Sequence, residues 1–93
     1  MSDLSSHKVF SVFDSKVKAF DAPILFRNAA EASRSFATVV NSSDQQQRPK
    51  YAMHPEDFTL FEIGTWSDLT GKIEMHAAKI SLCTALEVKE NKS

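Results

Sequence analysis

Two glycines, three prolines and one cysteine in 93 residues remove several kinds of site from consideration at once. With Gly64 and Gly71 as the only glycines, no glycine-rich loop can cradle a phosphate chain, so nucleotide-dependent chemistry is not expected. Cys83 stands alone, which excludes an intrachain disulfide and a cysteine-built zinc site and fits a reducing compartment. It reads as a small buried hydrophobe. No apolar run approaches the ~18 residues of a membrane helix, and Met1 to His7 lacks the basic-then-apolar layout of a signal peptide. The expectation is a cytoplasmic protein with no membrane partner. Nor is one sign of charge in excess: 11 Lys+Arg stand against 12 Asp+Glu, a net charge of −1. Coating a nucleic acid by bulk attraction is therefore excluded, and any such binding needs a local basic patch.

What is present is ordinary globular material. A hydrophobic content of 42% and a charged content of 25% suit one small ordered domain. A chain of this size buries roughly 60–65% of its unfolded surface, so its stability is slim and association into a dimer would add to it. The stretch His54 to Lys72 organises the rest: a proline turn, a strand rich in aromatic and β-branched residues, and an Asp68-x-x-Gly71 turn into a second strand.

In chain order, residues 1–6 read as a flexible tail and residues 7–88 as a single domain. Lys8 to Phe13, the turn formers Asp14-Ser15-Lys16, and Val17 to Phe20 make a first hairpin with apolar bulk on both faces. Asp21-Ala22-Pro23 interrupts its second strand, which resumes at Ile24 to Phe26. Asn28 and Glu31 have the spacing of a capping box. Ala29, Ala32, Phe36, Val39 and Val40 then form the apolar stripe of a helix that ends at Asn41. A mobile polar loop is expected over 42–53, too long for a tight turn; it either carries function or tolerates insertion. Strand alternation from Phe58 to Trp66 sets Phe58, Leu60, Glu62, Gly64 and Trp66 on one face and assigns Phe61 and Ile63, on the other, to the core. Ile73, Met75 and Ala77 alternate with Lys72, Glu74 and His76 as an inside/outside pattern. Ile80 to Val88 fits both periods and is read as a helical turn followed by a closing strand, with 89–93 a flexible tail. The fold class is α+β: a small antiparallel sheet of two hairpins covered by one main helix.

Catalytic constellations are missing. His7, His54 and His76 lie on separate elements without the spacing that would set two metal ligands on one helix face. His54 beside Glu56 and Asp57 suggests acid–base work less plainly than it suggests the cap of a turn. No metal, cofactor or enzymatic activity is expected. Binding of unpaired nucleic acid asks instead for cations along a groove and rings on which bases stack. Lys8, Phe10, Lys16, Lys18 and Phe20 offer that combination in the first hairpin, Arg27, Arg34 and Lys72 would extend it, and Trp66 would add a platform. The competing reading makes the same rings core and the same lysines a solvated rim.

A resemblance takes the reading further. Val-Phe-Ser-Val-Phe-Asp-Ser-Lys from Val9, His-Pro-Glu-Asp-Phe-Thr-Leu-Phe-Glu-Ile-Gly from His54, the Asp68-x-x-Gly71 turn and the final Leu-x-x-Ala-Leu-Glu-Val are similar to the small nonstructural protein of gokushoviruses, single-stranded DNA phages of the microvirus family. The similarity runs from about Val9 to Val88. It implies a non-capsid, non-enzymatic protein of the infected host's cytoplasm that binds single-stranded DNA during genome replication or the passage to single-stranded genome synthesis and packaging. A phage or host replication protein is a further partner on this reading. The alternative function, from a different class, is an oligomeric interaction module acting on a host or phage protein through a sheet edge or an apolar face.

Overall fold

β1 (Ser6–Asp14) is the spine of the sheet in the computed structural model, which describes residues 6–41, 51 and 53–89. Of the expected tails, 1–6 and 89–93, and the expected loop, 42–53, residues 1–5, 42–50, 52 and 90–93 lie outside the described residues, whereas Ser6 already belongs to β1. β1 pairs antiparallel along its whole length with β4 (Phe58–Ser67), and β4 pairs with β5 (Ile73–Thr84). The other edge of β1 carries two short strands, β2 (Ala19–Phe20) at one end and β3 (Ile24–Phe26) at the other. Residues 21–23 separate them: the Asp21 N–H still donates to the Val12 carbonyl at 2.9 Å, and the strand breaks at Ala22 and Pro23, where the proline has no N–H to offer the ladder.

The first hairpin turn is tighter at its start and longer at its end than its residues suggest. Asp14 Oδ1 accepts from the Lys16 N–H at 2.9 Å and the Asp14 carbonyl accepts from Lys18 at 2.8 Å. Lys18 takes a left-handed φ of 59° to close it, so Val17 and Lys18 belong to the turn and not to the strand.

α1 (Ala29–Val40) starts where the capping residues place it, with Asn28 Oδ1 accepting from Glu31 N–H at 2.8 Å. The Glu31 carboxylate reaches back one residue further than a capping box needs and accepts from Arg27 N–H at 2.9 Å. Ala32, Phe36 and Val40 are buried against Phe10, Val12, Phe58 and Leu60, with Ala29 and Val39 packed at the margin. Tyr51 is buried in the same cluster, its ring 5.7 Å from Phe36 and 4.9 Å from Phe58. The end of the expected polar loop is thus a core anchor, because a tyrosine ring buries more apolar surface than its neighbours in that stretch can.

The segment after Ile80 reverses the expected order. β5 continues to Thr84 and a single helical turn, α2 (Ala85–Val88), follows. A capping box sets this order: Thr84 Oγ1 accepts from Glu87 N–H, and Glu87 Oε1 accepts from Thr84 N–H. Asn41 Nδ2 donates to the Val88 carbonyl at 3.0 Å, which ties the end of α1 to α2.

Three register shifts interrupt β4 and β5, one of them at Leu82 between the Leu60–Cys83 and Phe61–Ser81 pairs, and the other two decide which residues face where. Val9 pairs with Gly64 and Phe10 with Glu62, so Ile63 is an extra residue in β4 and the side-chain alternation flips there. Before the bulge, Phe58 and Leu60 face α1 and form the core, correcting the assignment of Phe61 to it. After the bulge, Trp66 pairs with His7 and lies on the same side as Ser11, Phe13 and Phe61. In β5, Glu62 pairs with Ile80 and Gly64 with Met75, leaving His76 to Lys79 opposite Ile63 alone. The regular inside/outside pattern of this strand is not realised: Ile73 and Met75 are 55% and 59% exposed, because β5 is the sheet edge and they point to the face that α1 does not cover.

At Gly64 the backbone of β5 comes close enough to leave no room for a side chain. A Cβ there would lie well inside van der Waals contact distance of the Glu74 carbonyl oxygen. Gly64→Ala should cost about 2–3 kcal/mol in urea unfolding, because backbone and not a flexible side chain must move. Gly71→Ala, with φ +74° and open space around it, should cost about 1 kcal/mol.

Candidate nucleic-acid interface

Among the described residues α1 covers one face of the sheet, and rings collect on the other. Phe13 and Phe20 are paired across β1 and β2 with centroids 4.8 Å apart. Phe61, one strand over, lies 6.3 Å from Phe13 and 5.9 Å from Phe20 at steep angles. Phe20 is 42% exposed and forms the accessible rim of this triad. The four-residue excursion of β5 ends at Lys79, whose Nζ stands 5.5 Å from the centre of the Phe20 ring. A cation against an exposed aromatic surface is the local arrangement that a base and its phosphate require.

The residues singled out from sequence divide between the two faces. Lys16 and Lys18 lie in the exposed turn next to the Phe13–Phe20 pair, so they flank the triad. Trp66 is on the open face but at its far end, four ladder positions from the Ser11–Phe61 pair, roughly 13 Å at strand spacing. It packs against His7 with ring centroids 5.6 Å apart. Phe10 is 1% exposed in the core beneath α1, so its ring is not available to a base. The alternation of β1 sets Lys8 on the helix side with Phe10, where its Nζ is 3.9 Å from Glu62. Arg27 pairs with Glu31 at 3.7 Å at the start of α1, Arg34 is exposed on α1, and Lys72 pairs with Glu74 at 3.4 Å beside the β4–β5 turn. These surface pairs are screened and each adds little to stability.

Sequence reasoning missed Phe13, Phe61 and Lys79. Phe13 was legible as apolar bulk on the far face of β1; Lys79 was not, because only the bulge brings it across the sheet.

Other concavities and clusters suit a polyanion less well. A cavity of about 390 Å³ between α1 and the β1 edge is lined by Phe10, Phe26, Phe36 and Val39 among others, with Asp21 as its charged group and no lysine or arginine among the described residues. His54, Glu56 and Asp57 bring possible ligand atoms within 4.8 Å of one another on an exposed 3₁₀ turn, Pro55–Asp57. Their carboxylates would repel phosphate. No helix among the described residues is long and apolar enough to cross a membrane.

Cys83 is half-buried at the margin of the core, and burial pushes its thiol above the ordinary value, with the Glu87 carboxylate adding to the shift and a hydrogen bond with the Ser33 side chain opposing it. The thiolate is the reactive form, so native Cys83 should be alkylated at pH 8 more slowly than in the urea-unfolded chain. Equal rates in the two states would contradict this placement.

Compared with known proteins, the chain matches the family model described as Phage ORF5 protein over residues 7–88. No curated protein and no solved structure matches it. The chain belongs to the Phage ORF5 protein family.

Proposed function

We propose that this phage protein is a non-enzymatic accessory factor that binds single-stranded DNA on the open face of its sheet. The observation that carries the reading is the triad of Phe13, Phe20 and Phe61 beneath Lys79, on a face left uncovered by the fold. Exposed rings stack on unpaired bases without regard to sequence, and duplex DNA, whose bases are already stacked, gains nothing from them. Lys16 and Lys18 supply phosphate contacts at one end of the face, and Trp66 offers a second stacking position at the other. The chain's resemblance to the gokushovirus nonstructural protein fits such a role during genome replication, or in the passage to single-stranded genome synthesis and packaging, in the cytoplasm of the infected host.

One observation favours a different reading. Phe20, Leu25, Ile73 and Met75 are all exposed on or beside this face, and the net charge of −1 does nothing to repel an apolar protein partner. On that reading the face is an oligomer or host-protein interface.

Fluorescence anisotropy of a labelled oligothymidylate in a salt series separates the two. Binding should prefer single strands to duplex and weaken with salt. Phe20→Ala should reduce affinity by about 5- to 100-fold with little loss of stability, since the ring is at the rim. Replacing Lys16 and Lys18 together should lower the slope of log K against log salt by about 1.4. An unchanged slope removes these lysines from the interface, and no binding at low salt sinks the DNA reading in favour of the protein partner.

A further inference from the structure

Glu62 is the one charged side chain buried among the described residues, at 7% exposure, and neither the core nor the open face uses it. Its Oε2 lies 2.8 Å from His76 Nε2 on β5 and 3.9 Å from Lys8 Nζ on β1, so one carboxylate joins three strands. A carboxylate only accepts, and the imidazole Nε2 therefore carries the proton of the short contact. His76 is also the first of the four residues of β5 that stand opposite Ile63 alone, and Lys79 is the last. A strand segment with three residues too many for its partner has few ladder bonds to define its path.

We infer that the Glu62–His76 contact is the latch that gives this excursion one path, making His76 a positioning residue for Lys79 over the Phe20 ring. The inference rests on the proposed DNA-binding face for its functional meaning but not for its geometry. The excursion is fixed at its two ends by the Gly64–Met75 and Glu62–Ile80 pairs and, within its length, by the His76 side chain. Since Glu62 serves both as the backbone partner of Ile80 and as the side-chain partner of His76, one residue of β4 holds both ends of the loop that delivers Lys79. Lys8, at 3.9 Å, neutralises the carboxylate but belongs to β1 and puts no constraint on β5.

The test is read first without DNA. In the full-length wild-type protein, nuclear Overhauser contacts should connect the Lys79 ε-methylene to the Phe20 ring. In His76→Ala they should disappear while the rest of the spectrum keeps its dispersion, and in His76→Gln, whose amide can still donate to Glu62, they should return. Should the alanine variant be unfolded, His76→Asn, whose amide is too short to reach Glu62, replaces it. Contacts that persist in a folded alanine or asparagine variant overturn the latch whatever the protein binds. Where the wild type binds single-stranded DNA, Lys79→Ala should weaken binding in the wild-type background, but by no more than a factor of about two in the His76→Ala background. Equal losses in both backgrounds overturn the positioning role even if DNA binding itself stands.

Discussion

One helix of twelve residues, about 18 Å long, can cover one face of this sheet and no more. The constraint divides the domain. On the covered side, Phe10, Val12, Phe58 and Leu60 meet Phe36, Val40 and Tyr51, and Ala85 of α2 closes the end of the cluster. On the other side the sheet must keep its own rings from water, and it does so only in part. Phe61 meets the Phe13 and Phe20 rings edge-on, Phe13 and Phe20 are tilted against each other, and Phe20 is left at the rim. A face that stays partly apolar in a small domain is the kind of surface on which the proposed partner would dock, with cations beside it.

The second determinant is the pair of bulges. Had β4 been regular, Trp66 would lie with Phe58 and Leu60 on the helix side; the extra residue Ile63 moves it to the face that carries Phe13 and Phe61. Had β5 been regular, Lys79 would not reach across to Phe20. Gly64 permits the close approach at which both irregularities meet, and the buried Glu62 stands beside them with two basic partners. Bulges commonly re-aim side chains next to functional sites, and here they bring Trp66 and Lys79 to the face that carries the three phenylalanines.

Much of this was written in local signals and was legible in the chain. The Asn28 cap, the Ala32–Phe36–Val40 stripe, the split of the second strand at Pro23 and the Asp68-x-x-Gly71 turn each depend on residues a few positions apart, and each forms where those residues place it. Most of what failed depends on pairing between distant strands; the order of Ile80 to Val88 is the exception, set by the local Thr84–Glu87 capping box. Period two runs unbroken through Phe58 to Trp66 in the sequence, and nothing in it marks Ile63 as the residue that drops out of register. The alternation in Ile73, Met75 and Ala77 is real but describes an edge strand whose apolar side faces outward. Phe10 and Phe20 look alike in their hairpin; the helix decides that Phe10 is core and Phe20 is rim. Tyr51 was hidden by the polar residues that precede it.

The central claim is that the uncovered face binds single-stranded DNA, and mapping amide and ring chemical shifts during titration with an oligothymidylate tests it most directly. The account predicts perturbations at Phe13, Phe20, Phe61 and Lys79, extending to His7 and Trp66 with longer strands, while Phe36, Arg34 and the rest of α1 stay unmoved. Perturbations confined to α1, or a spectrum unchanged at saturating DNA, would contradict it.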